Sequence, residues 1–476
     1  MGKQSNYQLV KEMLSSPSDL KKRTVFFADK QVDIIYIAEL CDSMKIYESI
    51  VGSINQYNAK PQSPLDEFLM EEVLSAQEVK ECTDINTAVQ DLLKGFAVVS
   101  VQDKMLSVDC ELITTRAITE PPTGTVVKGP REGFVESCKV NLSLIRKRLA
   151  TPDLKMQMCT VGELTQTSVF VMHIDKIADD KVVQEVVEKV KSLKIDGVID
   201  SSYIAKHLSK HKHSMFKQVG MTEKPDVIVS KLLEGRVAIV VDGSPFVLTV
   251  PFMLMEELQN SQDYYSSNVH GTFLRILRFI GVVMSVLLPG LYVSLQLYHY
   301  KILPLDFLTS VLNSTQSIPF TPFSEVIFVI ILFEILYDAS LRMPRHLGLA
   351  LSIVGALILG DTAVQAGLVS PPAVVLVALS GLTFYTIPGQ AEQLSELRLI
   401  FVFAGGVLGL FGLILIGMFL LAYLCDFDSY GGTYLAPYAP QIPADMKDSI
   451  VMKGLASMKK RPYSVNKKSK NRVRIK

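Results

Sequence analysis

The chain has 476 residues, of which 20% are charged, and its 48 basic residues balance its 48 acidic ones. A net charge of zero gives no indication of a nucleic acid partner. The six cysteines are scattered, with no C-x-x-C and no histidine at ligand spacing. Neither a disulfide framework nor a zinc site is therefore expected.

The hydrophobic and charged residues are segregated along the chain. Residues 1 to about 270 are charge-rich, residues 275–425 are apolar, and residues 453–476 carry ten Lys or Arg and no acid. The N-terminus lacks the apolar core of a signal peptide, so the first half is expected in the cytoplasm. The pattern predicts an α/β N-terminal soluble region followed by an α-helical polytopic membrane domain.

Residues 1–117 predict a first α/β lobe. Two β-rich runs lie within residues 24–41, and an amphipathic helix is expected around residues 43–55. Residues 84–94 predict a second helix with Ala88, Leu92 and Leu93 on one side, and FAVVSV and MLSVDC follow as paired strands.

An internal repeat predicts a second, related lobe over residues 151–270. AVQDLLKGFAVVSVQDKMLSV at 88–108 aligns without gaps on IVSKLLEGRVAIVVDGSPFVL at 228–248. Gly95 and Gly235 fall at matching positions where a helix must end, which favours a residue that tolerates positive φ. The soluble region is therefore expected to consist of two lobes with the same helix-then-hairpin unit.

A connector is predicted between the lobes, over residues 118–150. Pro121 and Pro122 break regular structure at its start. The run KGPREG at 128–133 has the glycines and cations of an anion-binding turn. A charged turn with only a structural role explains the same residues and is the preferred interpretation.

The apolar region, residues 271–425, contains five candidate membrane spans: about 277–299, 322–341, 347–369, 372–388 and 398–424. Basic residues before the first span and between the second and third favour the cytoplasmic side there. Five full crossings would place the basic tail, residues 426–476, outside. The short, proline-bounded span at 372–388 is therefore predicted to be re-entrant.

The third span carries the candidate ion path. Its small residues recur every fourth position and form one helix face, Gly348, Ser352, Ala356 and Gly360. A second stripe, the pore or gate candidate, holds Ile353, Leu357, Asp361 and Gln365. A charge at membrane depth is costly, so Asp361 is expected to face protein or water. The alternative is that the small face only packs helices and that Asp361 lies near the interface.

Two other spans hold candidate residues. Glu334, Asp338 and Arg342 follow at fourfold spacing in the second span, and Asp338 can pair with Arg342 near the helix end. Glu334 lies deeper and is expected between helices or beside water. Gly405 and Gly409 in the fifth span form a G-x-x-x-G pattern that predicts close helix packing.

No pair of catalytic carboxylates, no Ser/His/Asp set and no phosphate-binding loop is present, so an enzyme is not expected and no cofactor or metal is implied. Three functions are compatible with the residues: a channel subunit of a receptor, a secondary transporter, or a membrane-anchored scaffold. Transporters usually contain inverted repeats in the membrane, and here the repeat is confined to the soluble half.

Long motifs in the same order resemble the A subunits of the GerA-type spore germinant receptors. They are ITEPPTGTVVKGPREGFVES with NLSLIRKRL, YDASLRMPRHLGLALSIVGALILGDTAVQAGLVSP, and SYGGTYLAPYAP leading to PADMKDSIVMKG. The family motif comprises Glu120, Pro121, Gly129, Pro130, Arg131, Glu132, Gly133 and Phe134. A stage V sporulation paralogue shares the EPP and GPREGF-like motifs, and the resemblance fits it too.

The resemblance implies a multi-pass protein of the spore inner membrane. It implies a homo-oligomeric ring, taken as a pentamer, that forms a nutrient-gated channel for monovalent cations. It also implies a transporter-like B subunit and a lipoprotein C subunit as partners. In such a ring, Ile353 and Leu357 would form an apolar gate and Asp361 an acidic ring.

Overall fold

The computed structural model describes residues 5–14, 19–28, 30–57, 64–76, 78–102, 104–112, 128–342, 358–454, 457–465 and 468. Two lobes, each built on a five-stranded antiparallel sheet, occupy the first half of the chain, and a group of long helices follows. The predicted fold class, two related α/β lobes followed by a helical region, is confirmed.

The first lobe is a sheet between two layers of helix. Its strands, in the spatial order β1-β2-β4-β5-β3, are β1 (Leu20–Phe27), β2 (Lys30–Ile37), β3 (Val79–Cys82), β4 (Phe96–Val101) and β5 (Lys104–Asp109). One face packs on α1 (Asn6–Leu14) and α2 (Ile85–Leu93). The other face packs on helical turns within residues 43–56 and 65–73.

The second lobe repeats this arrangement. Its strands, in the order β6-β7-β9-β10-β8, are β6 (Leu154–Val161), β7 (Thr167–Ile174), β8 (Gly220–Thr222), β9 (Val237–Val241) and β10 (Val247–Val250). One face packs on α3 (Cys138–Arg148) and α6 (Pro225–Glu234), and the other on α4 (Asp180–Ser192) and α5 (Ser201–Leu208).

The repeat detected in the sequence corresponds to a duplicated fold. The helix-then-hairpin unit α2-β4-β5 matches α6-β9-β10, and the same strand order extends the duplication to all five strands. Gly95 and Gly235 have φ of 95° and 103°, a conformation that glycine adopts without steric cost. Substituting either glycine would therefore strain the end of its helix.

The helical region begins with α7 (Ser261–Tyr265) and α8 (Asn268–Leu297). It continues with α9 (Leu305–Thr315), α10 (Pro322–Arg342), α11 (Pro371–Phe384) and α12 (Ala391–Cys425). Among the described residues, two helical stretches are long and apolar enough to cross a membrane, Asn268–Leu297 and Pro388–Cys425. The apolar segments predicted from the sequence are thus helical over most of their described residues.

Helix α12 is a hairpin, which corrects the prediction of a single span over residues 398–424. Gly409 interrupts the helix with φ 65° and ψ −147°. Beyond it, Gly412 lies against the Ala404 carbonyl, although these residues would be about 12 Å apart in a straight helix. Residues 391–408 therefore form one arm and residues 410–425 return beside it.

The helices define a lobe-proximal end and a distal end of the bundle. At the proximal end, Arg275 of α8 binds residues beside the second lobe, and Phe216 of that lobe packs 6.2 Å from Tyr423 of α12. At the distal end, the Tyr298 hydroxyl donates to the Gly406 carbonyl at 2.8 Å, next to the turn of the hairpin. Both ends of α12 are therefore proximal.

The predicted re-entrant segment at 372–388 contains nearly all of helix α11, which ends at Phe384, and the turn that follows it. Ser370, just before α11, contacts Glu325 at the distal end, whereas Gly281 near the proximal end of α8 lies against Thr386, just after α11. Residues 370–386 therefore run from the distal end towards the proximal end of the bundle. The chain reverses at Gly409 instead, because glycine there adopts a backbone conformation that side chains disfavour.

The chain after α12 packs on the second lobe. Tyr434 is fully buried, and its hydroxyl donates to the Lys217 carbonyl at 2.8 Å. The Tyr430 hydroxyl donates to the Leu208 carbonyl at 2.6 Å, and a short ladder pairs Asp428–Ser429 with Gly432–Thr433. The segment that the sequence predicts as a basic tail thus begins as part of the second lobe's core.

Candidate functional site

An ion pair between a buried arginine and a partly exposed glutamate joins two helices of the bundle. Arg398 on the first arm of α12 donates to the Glu334 carboxylate on α10 at 2.5 Å, and Ser395 donates to the same carboxylate. The guanidinium also lies 4.5 Å from the Phe384 ring centre. This pair explains how Glu334, singled out from the sequence, is accommodated between helices.

The other two charges of the predicted stripe form a separate pair. Arg342 donates to Asp338 at 3.0 Å, four residues apart on α10, and both side chains are exposed. An exposed pair of this kind contributes little to stability. Glu334 therefore belongs to a different contact from Asp338 and Arg342, although all three lie on one helix.

Two of the pore candidates are described, and they touch each other. The Gln365 amide donates to the Asp361 carboxylate at 2.5 Å, and both side chains are exposed. A side chain added at Gly360 would meet none of the described residues within 4 Å. The remaining residues of the two predicted stripes, Gly348, Ser352, Ile353, Ala356 and Leu357, lie outside the described residues.

The two glycines of the G-x-x-x-G pattern have different roles. Gly405 lies against the carbonyl of Gly290 on α8, so the two backbones touch there. Gly409 instead forms the turn of the hairpin, where an added side chain would meet His299 and Tyr298. The packing prediction fits Gly405 and does not describe Gly409.

A buried carboxylate lies at the distal end of the bundle. Glu325, in the first turn of α10, is 1% exposed, and its carboxylate accepts the Ser370 backbone N–H that precedes α11. Tyr292 of α8 faces Ser370, Gln296 and Glu325. The sequence analysis missed Glu325, although a glutamate at the edge of a predicted span was a usable signal.

A cluster of charges fastens the first long helix to the chain before and after it. Arg275 of α8, which is fully buried, binds Asp263 at 3.2 Å and Asp448 at 2.8 Å, and Arg278 binds Asp263 at 2.7 Å. Burial would raise the pKa of Asp263, but hydrogen bonds from Arg278 and Arg275 hold it below its ordinary value. The C-terminal segment is therefore tied to the proximal end of α8.

The described part of the family-type motif makes several contacts with the rest of the second lobe and the chain after it. The ring of Tyr265 covers Gly129, whose φ is 120°, and leaves no room for a side chain there. Glu132 pairs with Arg148, and the buried Phe134 donates its N–H to the Glu223 carbonyl at 2.7 Å. Pro130, Arg131 and Gly133 complete this turn, whereas Glu120 and Pro121 lie outside the described residues.

Three charged groups meet where the two lobes touch. Arg146 of α3 pairs with Asp19 at the start of the first lobe, and both are buried. The nearby Glu39 has a buried carboxylate oxygen that forms no hydrogen bond with any described residue. Burial, reinforced by the Asp19 charge, raises the pKa of Glu39 to about 7.

Most of the contacts described above are charge and hydrogen-bond contacts within or beside the helical bundle. Within the described part of the chain, no group of three His, Cys, Asp or Glu side chains could hold a metal ion. The acidic groups on α10 and the carboxylate of Asp361 are partly accessible at the bundle surface. Negative charges in such positions attract cations and repel anions. Such groups can shape the passage of ions, and they do not resemble a nucleophile with its base.

Comparison with known proteins gives consistent matches. The sequence model described as Bacillus/Clostridium GerA spore germination protein matches residues 8–464. Spore germination protein KA of Bacillus subtilis (strain 168) is 34% identical over 474 residues, which covers 98% of this chain and 87% of that protein. GerQA of Bacillus cereus is 32% identical, covering 98% of this chain and 93% of that protein.

Two further matches are another spore germination protein and a solved crystal structure. Spore germination protein A1 of Bacillus subtilis (strain 168) is 31% identical, covering 97% of this chain and 95% of that protein. The crystal structure of the N-terminal domain of the A subunit of the Bacillus megaterium spore germinant receptor GerK3 is 30% identical. The structural match covers 52% of this chain and 93% of that domain, with a TM-score of 0.41.

Proposed function

This chain belongs to the GerA spore germination protein family, and we propose that it is the A subunit of a nutrient-sensing germinant receptor that oligomerises into a gated cation channel. The observation that carries the proposal is the family match over residues 8–464, which includes both lobes and the helical region. The protein is accordingly not proposed to be an enzyme.

Placement in a membrane is supported by the helices. Residue 342 lies at the proximal end of the bundle and residue 370 at the distal end. The predicted span at 347–369 would join these two ends. With α8, α10, α11 and the two arms of α12, this gives six crossings and puts both lobes and the C-terminal segment on one side. The basic C-terminal segment favours the cytoplasmic side, and the membrane is proposed to be the spore inner membrane.

Assembly into a ring is supported by the surface around Asp361. Asp361 and Gln365 are exposed, and none of the described residues lies within 4 Å of a side chain built at Gly360. An acidic group on a small-residue surface within a membrane is expected to face another protein surface or water. A ring of copies, proposed to be a pentamer working with the transporter-like B subunit and the lipoprotein C subunit, would provide both.

Ion flux from liposomes containing the purified protein tests the proposal. The wild type is expected to conduct K⁺ in preference to Cl⁻, and Asp361→Asn is expected to lower that preference because it removes the acidic ring. Glu392→Gln changes an exposed carboxylate on another helix and serves as the control. Unchanged selectivity in Asp361→Asn would refute the acidic ring, and a monomer that exchanges substrate would indicate a transporter instead.

Dormancy in spores gives an independent test of the gate. Leu357→Ala should widen the apolar constriction, so spores carrying it are expected to germinate without nutrient. Leu408→Ala, an exposed leucine beside the distal turn of α12, is the matched control. Normal dormancy and ion retention in Leu357→Ala spores would count against the gate at this position, and a scaffold without conduction would leave both variants normal.

A further inference from the structure

The buried carboxylate of Glu325 has no positively charged partner among the described residues. Glu325 precedes Val326, which belongs to a buried core with Val329 and Val369, and its carboxylate accepts a hydrogen bond from the Ser370 backbone N–H. No lysine, arginine or histidine within the described residues forms an ion pair with it. An ionised carboxylate in such surroundings is costly, so its charge must be compensated.

Part of the compensation comes from α11. The Ser370 N–H and the positive end of the helix dipole both stabilise the ionised form of Glu325. This partial positive charge is smaller than the full negative charge of the carboxylate. The backbone N–H and the helix dipole therefore offset only part of a carboxylate charge at this site.

Unsatisfied polar atoms surround the same point. The Tyr292 hydroxyl, in a side chain only 7% exposed, interacts with the Ser370 and Gln296 side chains and lies near Glu325, but it makes no hydrogen bond of standard geometry with any described residue. The amide oxygen and nitrogen of Gln296 are also buried without such a hydrogen bond among the described residues. Buried polar groups are normally satisfied, so these atoms indicate an occupant that supplies the missing interactions.

We propose that Glu325, Tyr292 and Gln296 form a binding site for one monovalent metal cation, K⁺ or Na⁺, between α8, α10 and α11. The available donors are oxygens, which hard cations prefer. A single carboxylate with neutral oxygens matches one positive charge, whereas divalent sites usually gather several carboxylates.

This site is separate from the proposed conduction path. Asp361 is exposed, whereas Glu325 is buried among helices of the same chain. Ala363, two residues after Asp361, packs in the same core as Tyr292 and Val326. A bound cation would therefore stabilise the bundle directly behind the segment that carries Asp361.

Thermal unfolding of the full-length protein in lipid nanodiscs tests the site. Titration with KCl or NaCl, against N-methyl-D-glucamine chloride at equal ionic strength, is expected to raise the unfolding midpoint of the wild type. The rise should reach about 2 °C when the cation is tenfold above its dissociation constant. Glu325→Gln should abolish the cation-dependent rise, and Tyr292→Phe should shift it to higher cation concentration.

Glu392→Gln, an exposed carboxylate variant, should respond like the wild type. Glu325→Gln keeps the shape of the side chain and removes its charge, so it is expected to fold without the cation. If it does not fold, Tyr292→Phe and Gln296→Leu still test the site. A wild type that responds equally to all three salts, or that is stabilised only by acid, would overturn the proposal, whether or not the protein conducts ions.

Discussion

A buried arginine in an apolar helix is tolerated only where its charge is matched, and Arg398 meets this condition through Glu334 and the Phe384 ring. Arg398→Met leaves the partly exposed Glu334 carboxylate without its partner and is expected to destabilise the bundle by about 2 kcal/mol. The double variant Arg398→Met with Glu334→Leu should recover most of this loss, as measured by thermal unfolding in detergent. A single variant as stable as the wild type would contradict the structural importance of the pair.

Glu39 predicts a pH dependence at the contact between the lobes. Burial, with the Asp19 charge adding to it and Arg146 and Lys21 opposing it, raises the pKa of Glu39 from 4.5 to about 7 in the folded protein. The folded state therefore binds the proton more tightly than the unfolded chain. The resulting stability is complete below pH 4.5 and is lost as the pH rises through 7, by about 3 kcal/mol in total.

The Glu39→Gln variant removes this titration. Its unfolding midpoint is expected to change less between pH 5 and pH 8 than that of the wild type, and to exceed the wild type at pH 8. Glu48→Gln, an exposed carboxylate of the same lobe, is the control and should keep the wild-type pH profile. Identical profiles in all three proteins would show that Glu39 is ionised in the folded state.

At the scale of elements, the turn of α12 depends on one residue. Gly409 has φ 65° and ψ −147°, and a side chain there would meet His299 at 2.9 Å and Tyr298 at 3.1 Å. Gly409→Ala is therefore expected to cost about 2 kcal/mol or more, from backbone strain and crowding together. Measurement of thermal unfolding in detergent checks this expectation.

Gly417 on the returning arm provides the matched control for the hairpin. It is helical, and an added side chain would meet nothing within 4 Å. Gly417→Ala is expected to be neutral or to stabilise the helix by up to about 1 kcal/mol, because alanine has the higher helix propensity. If both substitutions had the same small effect, the reversal at Gly409 would be wrong.

At the scale of the whole molecule, the hairpin decides on which side of the membrane the chain ends. Cys425, at the end of α12, is exposed, whereas the other five cysteines are buried. A membrane-impermeant maleimide is expected to label it from the side that carries the two lobes. Ser310→Cys on the distal helix α9, in a Cys425→Ser background, should be labelled from the opposite side.

Labelling of Cys425 and Ser310→Cys from the same side would contradict the hairpin, because a single crossing by α12 would carry Cys425 to the distal end. An accessible lysine on a lobe, such as Lys181, can be modified in parallel to define the side of the lobes. The experiment thus separates six crossings from five without assuming any activity.

Several features of this protein follow from local sequence. The pair of Asp338 with Arg342 could be predicted because residues four apart on a helix are always neighbours. The conformations of Gly95 and Gly235 follow from their place after a helix, and the repeat around them indicated two related lobes. The motifs that indicated the family are likewise continuous stretches of chain.

Other features were decided only by tertiary structure. Distant ion pairs form between Glu334 and Arg398, between Arg275 and Asp448, and between Arg146 and Asp19. A single sequence does not show which residues so far apart in the chain come into contact. Gly409 could be read as a packing glycine or as a turn, since the missing side chain permits both. Sequence alone determined which segments are apolar and which residues are charged; the packing of the helices determined which charges meet and where the chain turns back, because burial acts through neighbours that only folding brings together.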